Sequence, residues 1–349
     1  MAPRACILGC EGAHLGDEER AFFRDARPWG FILFARNVES TDQLRRLTDD
    51  LRAAVDSEGA PVFVDQEGGR VQRLRPPLAP RRRPAALFGE LHRRDPDLAE
   101  EAVRLNHRLL AHELRAAGFD ADCAPCVDVL QPETHAIIGD RAFSSDPAVV
   151  AALGRAAVDG LLEGGVAPVI KHIPGHGRAR ADSHVELPVV DTPLEVLEET
   201  DFAPFRALAD APMAMTAHVT YTAVDPDRCA TVSPRVVETV IRGLIGFDGL
   251  LMSDDLSMRA LGGTLAERAK ASLDAGCDVV LHGNGALTGE PVRDLRAELQ
   301  AVAEASPELS GRGWERACAV QAVARRERPF DPEAAERRLA DLGLEGRAA

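Results

Sequence analysis

V166-A-P-V-I-K-H172 is an uninterrupted apolar run of strand length that ends in a lysine and a histidine. A strand that is apolar on successive residues is covered on both faces, the condition of a parallel sheet wrapped by helices. Seven further runs of this kind surround it: A5-C-I-L-G-C10, G30-F-I-L-F-A35, P61-V-F-V-D65, F-D-A-D-C-A-P over 119–125, P-M-A-M-T-A-H over 212–218, G249-L-L-M-S253 and C277-D-V-V-L-H282. Longer amphipathic stretches separate them, and the helical period is clearest over 44–55, 98–117 and 236–245. Entry signals agree, since S40-T-D-Q, S145-D-P and S233-P-R each put a capping side chain or a proline at the start of a helix-like run. Eight strand-then-helix units close most naturally into an α/β TIM (β/α)8 barrel. A doubly wound open sheet is the competing arrangement.

The barrel is expected over residues 1–290, with 291–349 supplying its last helix and a C-terminal helical extension packed on the outside. No Gly/Ser linker marks a second domain. Forty-one Lys and Arg against fifty-six Asp and Glu give a net charge of −15, which repels phosphate backbones and excludes a nucleic-acid partner. The first residues lack the apolar core of a secretory signal, and no stretch is long and apolar enough for a membrane span, so the expectation is a cytoplasmic protein with no membrane partner. Seven cysteines, at 6, 10, 123, 126, 229, 277 and 318, do not form a disulfide framework and are expected to be reduced. Cys123 and Cys126 have the spacing of a redox or zinc motif, but their run is strand-like and opens no helix, which favours packing over chemistry.

In such a barrel the chemistry gathers where strands end. D65-Q-E-G-G-R70, K171-H172, His218 and S253-D-D255 stand at those ends, a concentration that packing alone does not require. The basic, proline-rich stretch 70–83 is expected to be a solvated surface loop, with attraction of an anionic substrate as the alternative. K171-H-I-P-G-H-G-R-A-R-A-D-S-H184 poses the sharper question, whether its histidines hold a metal, fill a core or move protons. Pro174 and Gly175 separate His172 from His176, so the two do not share a helix face as zinc-binding i, i+4 histidines do. A core reading fails on the number of polar groups it would bury. Acid/base work suits D182-S-H184, because a nearby carboxylate orients an imidazole whose ordinary pKa is about 6.5. One aspartate of S253-D-D255 could attack a sugar carbon, while Asp255 could instead cap a helix beginning at L256-S-M-R.

V64-D-Q-E-G-G-R-V-Q-R73, A136-I-I-G-D-R-A-F143, K171-H-I-P-G-H-G177, A181-D-S-H184, F247-D-G-L-L-M-S-D-D-L-S-M258 and D274-A-G-C-D278 together resemble the family 3 glycoside hydrolases. More narrowly they are similar to the single-domain bacterial β-N-acetylglucosaminidases of cell-wall recycling. The likeness covers about the first 285 residues and leaves the C-terminal extension aside. It implies a TIM barrel and a retaining mechanism, with Asp254 matching the nucleophile, His184 the acid/base and Asp182 its partner on a mobile loop. Asp65, Arg73, Arg141, Lys171 and His172 match the residues that hold the N-acetylglucosamine ring. Two departures are visible: Ile173 stands where the family has Phe, and Arg178 with Arg180 makes the mobile loop unusually basic, which bears on leaving-group preference.

The resemblance therefore implies a monomeric exo-β-N-acetylhexosaminidase that needs no cofactor or metal and acts on N-acetylglucosamine-containing muropeptides. Three alternatives stand beside it: attack by the substrate's own acetamido group, a metal-dependent barrel hydrolase, and a sugar-binding protein without turnover.

Overall fold

The computed structural model of the chain describes residues 2–132, 134–179, 187–284 and 294–344. All eight expected strands are present, as β1 (Arg4–Leu8), β2 (Pro28–Leu33), β3 (Val62–Val64), β4 (Ala121–Asp122), β5 (Ala167–Ile173), β6 (Met213–Thr216), β7 (Leu250–Asp255) and β8 (Val279–His282). They close into one barrel in chain order, each parallel to its neighbours, with β8 paired back to β1 through Cys6 and Val280. Closure excludes the open sheet.

Alternate residues of the strands fill the barrel. Ile7, Trp29, Phe63, Val169, Met213, Met215, Leu250, Met252, Val279 and Leu281 form one buried cluster. The remaining strand faces pack outward on the helices, in two larger clusters. Such burial stabilises by about 2 kcal/mol for each aliphatic side chain taken fully out of water.

Helices follow the strands as the periodicity requires. Thr41–Ala54 starts at Ser40, which accepts from Gln43 N in a capping box, and Pro147–Glu163 starts at Asp146 with proline in its first turn. The 236–245 stretch is helical as expected but wound as a π-helix over Val236–Leu244, with Ser233 Oγ accepting from Val236 N at its entrance.

The segment after β8 does more than lie on the outside. In the helix Gly311–Val323, Ala317 and Val320 join the interior cluster and close the base of the barrel. The chain then rises along the wall, where Arg338 pairs with Glu101 and Arg83 donates to the Gly343 carbonyl. The basic stretch 70–83 also departs from expectation: Arg82 is buried between Glu113 and Glu336, so a stretch read as solvated surface is partly an internal clamp for the C-terminal helix Pro332–Asp341. The sequence offers no local sign of this, because one partner lies at the far end of the chain.

Candidate active site

β3 is followed by a tight hairpin, Gln66–Gly68 with Val71–Gln72, which sits on the barrel mouth. Gly68 and Gly69 both take positive φ, 93° and 56°, a turn that side-chain-bearing residues resist. In the extended chain Asp65 and Glu67 face the same way. Both meet Lys171 of β5, whose Nζ lies 3.0 Å from Asp65 Oδ1 and 2.6 Å from Glu67 Oε1. Arg73 Nη2 donates to Asp65 Oδ2 at 3.0 Å, and Arg141 grips Glu67 with two nitrogens at 2.8 and 2.9 Å. The result is an alternating ladder, Arg73, Asp65, Lys171, Glu67, Arg141.

This ladder fixes the charge of its members. Burial alone would raise the Asp65 carboxyl, but Lys171 and Arg73 outweigh it and hold the group well below the usual carboxylate range. Burial likewise opposes ionisation of Glu67, and Arg141 with Lys171 brings it down to about 2. Lys171 shows the converse: burial would lower it, and the two carboxylates drive it well above the ordinary lysine value. Asp65, Glu67, Lys171 and Arg141 therefore stay ionised near neutral pH, offering donors and acceptors in fixed places.

Beside the ladder lies a cavity of about 320 Å³, lined by Asp65, Glu67, Arg141, Lys171, His172 and Asp254 among others. Asp254 comes from the end of β7, and its Oδ1 accepts from Asp255 N at 2.8 Å. Five sequence-matched sugar-binding positions and the matched nucleophile thus share one pocket. Asp182 and His184 lie outside the described residues. The chain on either side is anchored at the same mouth, with Ala179 O accepting from His135 N at 3.1 Å and Val189–Val190 paired with Thr220–Tyr221. Arg178, counted in the sequence toward a basic mobile loop, is tied down: its Nε donates to buried Asp201 at 2.7 Å.

Comparison with known proteins fits this geometry. A family model, "Glycosyl hydrolase family 3 N terminal domain", matches residues 10–310. The chain belongs to glycosyl hydrolase family 3. Among its relatives, the β-hexosaminidase of Alkalilimnicola ehrlichii is 43% identical over 280 residues, covering 79% of each chain. That of Xanthomonas euvesicatoria pv. vesicatoria is 41% identical over 294 residues, covering 83% of this chain and 86% of its own. The crystal structure of NagZ from Neisseria gonorrhoeae in complex with N-trifluoroacetyl-D-glucosamine superposes with a TM-score of 0.83 at 32% identity, covering 99% of this chain and 98% of that one. Within family 3 the chain stands with the β-N-acetylhexosaminidases.

Three acids that the sequence reading passed over or misassigned complete this glycosidase site. Glu67 is the first, the ladder member between Lys171 and Arg141; its signal was the two-residue offset from Asp65. Asp128 is the second, fully buried under His172. Its Oδ2 lies 2.7 Å from His172 Nδ1, and its Oδ1 accepts from the backbone of His172 and His176 at 3.3 and 2.6 Å. Burial opposes its charge, but the two histidines and their donors hold it well below the usual range, so His172 Nδ1 donates to the carboxylate. Gly177 lets this turn close, since a Cβ there would stand 1.9 Å from the Val129 carbonyl.

Asp255 is the third. It does not cap a helix at 256, because the next helix starts at Leu265 and is capped by Thr264. Instead Asp255 Oδ1 accepts from Ser257 N at 2.9 Å and lies 3.5 Å from His282 Nδ1, while Oδ2 accepts from Gly283 N at 3.2 Å, tying β7 to β8. His218, at the end of β6, donates from Nε2 to the Asp255 carbonyl at 3.2 Å and accepts at Nδ1 from the Thr231 hydroxyl at 2.7 Å. The residue after Asp254 is thus a brace.

His282 has a titratable consequence. Burial would lower its pKa, but Asp255 on one side and Glu298, 3.2 Å away on the other, raise it to about 9. A folded value above the unfolded one of about 6.5 means that the charged histidine stabilises fully below that value and loses its contribution as pH rises through about 9. The melting temperature of the wild type is expected to fall between about pH 7 and about pH 10, and the deficit of His282→Asn should shrink over the same interval. A deficit independent of pH in thermal melts would show that His282 is neutral in the fold.

Proposed function

We propose that the chain is a retaining, exo-acting β-N-acetylglucosaminidase that releases terminal N-acetylglucosamine from muropeptides in cell-wall recycling. We place it in the cytoplasm as a monomer, with residues 1–290 forming the barrel and 291–349 its last helix and extension. The observation that carries the reading is the single pocket in which the charged ladder faces Asp254. The sugar held in the Neisseria gonorrhoeae structure, an N-acylated glucosamine, supports the substrate class.

In this account Asp65 and Glu67 accept hydrogen bonds from sugar hydroxyls, Lys171 and Arg141 donate to sugar oxygens, and Arg73 keeps Asp65 in place. His172 offers Nε2 as an acceptor, oriented by Asp128. Because each group is already paired, little reorganisation is left for the moment of reaction, which is how a preorganised polar site lowers a barrier. Asp254 attacks the anomeric carbon while His184, oriented by Asp182, protonates the departing oxygen. His184 then takes a proton from water, which breaks the glycosyl ester and restores the original configuration.

Selectivity tests the substrate class. A site built to hydrogen-bond an acetamido group leaves buried polar atoms unpaired when plain glucose enters, so kcat/KM for an aryl β-N-acetylglucosaminide should exceed that for the aryl β-glucoside by about 100-fold or more. Equal values would place the enzyme with the glucosidases.

A further inference from the structure

We propose that Cys126, Asp128 and His172 form a binding site for a divalent cation of the zinc class, set behind the sugar pocket and distinct from the catalytic carboxylate. Cys126 Sγ lies 3.3 Å from Asp128 Oδ2, His172 Nδ1 lies 2.7 Å from the same oxygen, and the three donor atoms are all within 4.8 Å of one another. Cys126 and Asp128 alternate along the chain that continues β4, which puts their side chains on one face, and Cys126 bridges to Lys171 of β5, next to His172. Asp128 cannot swing away, because the backbone N–H groups of His172 and His176 hold its other oxygen.

The donor chemistry selects the metal. One sulfur, one imidazole nitrogen and one carboxylate oxygen suit zinc, cobalt or cadmium and do not suit magnesium or calcium, which take oxygen ligands. Thiolate and carboxylate together carry two negative charges, matching one divalent cation, and the neighbouring cations Lys171 and Arg141 are already paired with Asp65 and Glu67. Three protein ligands leave a fourth position for water, as in open zinc sites. Zinc bonds of about 2.0–2.3 Å place tetrahedral donors roughly 3.3–3.6 Å apart. The sulfur–oxygen separation already fits, and the nitrogen–oxygen pair need open by only about half an ångström.

Binding requires no oxidant or reductant. The Cys126 thiol releases its proton to solvent, and the proton on His172 Nδ1 moves to Nε2 as the metal takes its place. That tautomer change converts Nε2 from acceptor to donor on the sugar side. Metal and sugar then oppose each other, a consequence that rests on the sugar-binding role of His172, whereas the metal site itself does not.

Cobalt(II) is the probe, added to the full-length, metal-free, reduced protein. The wild type is expected to develop a thiolate-to-cobalt charge-transfer band in the near ultraviolet, which zinc bleaches on displacement. Cys126→Ser and Cys126→Ala should each lose the band, while Cys318→Ser, at the one cysteine that is not buried, should keep it. In the second arm zinc inhibition of aryl β-N-acetylglucosaminide turnover is normalised to each variant's own metal-free rate. The half-inhibiting zinc concentration should rise by about tenfold or more in Cys126→Ser. A wild type without the band overturns the site, however the variants fold. A band that survives in Cys126→Ser places cobalt on another cysteine, and unchanged inhibition places zinc at the catalytic groups; either result overturns the proposal. A cobalt band without any effect on turnover keeps the metal site and removes the sugar-binding role of His172.

Discussion

Asp254→Asn is expected to reduce kcat on an aryl β-N-acetylglucosaminide by about 10⁴-fold or more, because an amide cannot form the glycosyl ester on which the two-step route depends. The fold should be unaffected. Asp254 Oδ1 accepts only the Asp255 N–H among the described contacts, and an asparagine oxygen accepts that bond equally well. Product affinity should remain close to that of the wild type, since the ladder of Asp65, Lys171, Glu67 and Arg141 is untouched. Asp255→Asn is the informative contrast. It weakens the ion pair with His282 and the tie to Gly283, so it should lower the melting temperature while retaining far more turnover than Asp254→Asn. Steady-state kinetics with thermal melts on both variants separates attacker from brace. Residual Asp254→Asn activity within about tenfold of the wild type would transfer the attack to Asp255 or to the substrate's acetamido oxygen.

The second large effect concerns His184, and its signature is a dependence on the leaving group. General acid catalysis contributes on the order of 10²–10⁴-fold when the departing oxygen is basic, and little when it departs as a stable phenolate. His184→Ala should therefore lose about 10³-fold on an alkyl or disaccharide substrate and only about tenfold on an activated aryl one. Asp182→Ala should follow the same pattern more mildly, because the imidazole is freed and not deleted. His172→Ala should weaken both substrate types to a similar degree, having lost an acceptor and not a proton carrier. A comparison of kcat/KM across leaving groups of graded acidity checks all three. A His184→Ala loss that is the same for every leaving group would remove the acid/base role.

What could be read ahead of the structure follows from how local each signal is. The eight barrel strands announced themselves because apolar runs closed off by polar residues are properties of consecutive positions, and β5, β7 and β8 ended within three residues of the expected points. Asp65, Lys171 and Asp254 could be placed at one mouth because parallel strands in a closed barrel all end on the same side. Asp128 was hidden, since its meaning comes from His172 on the neighbouring strand and nothing near it in sequence hints at a buried carboxylate. Asp255 was misread for a related reason: a carboxylate before a turn looks like a cap until His282, on the next strand, is seen beside it. Arg82 shows the limit most plainly, for a basic residue among prolines reads as surface unless Glu336 is known to fold back onto it. The π-helical winding of Val236–Leu244 was equally silent, because one apolar face satisfies either hydrogen-bonding pattern.

The account turns on a covalent bond between the sugar and Asp254, and mass spectrometry measures that bond directly. A fluorinated N-acetylglucosaminyl donor with a good leaving group slows the second step and lets the ester accumulate. Peptide mapping of the acid-quenched, inactivated protein is predicted to show one sugar per chain, attached at Asp254 within G249-L-L-M-S-D-D255, with no adduct in Asp254→Asn. Rapid turnover of the same donor with no adduct at any time point, or a sugar on Asp255, would contradict it.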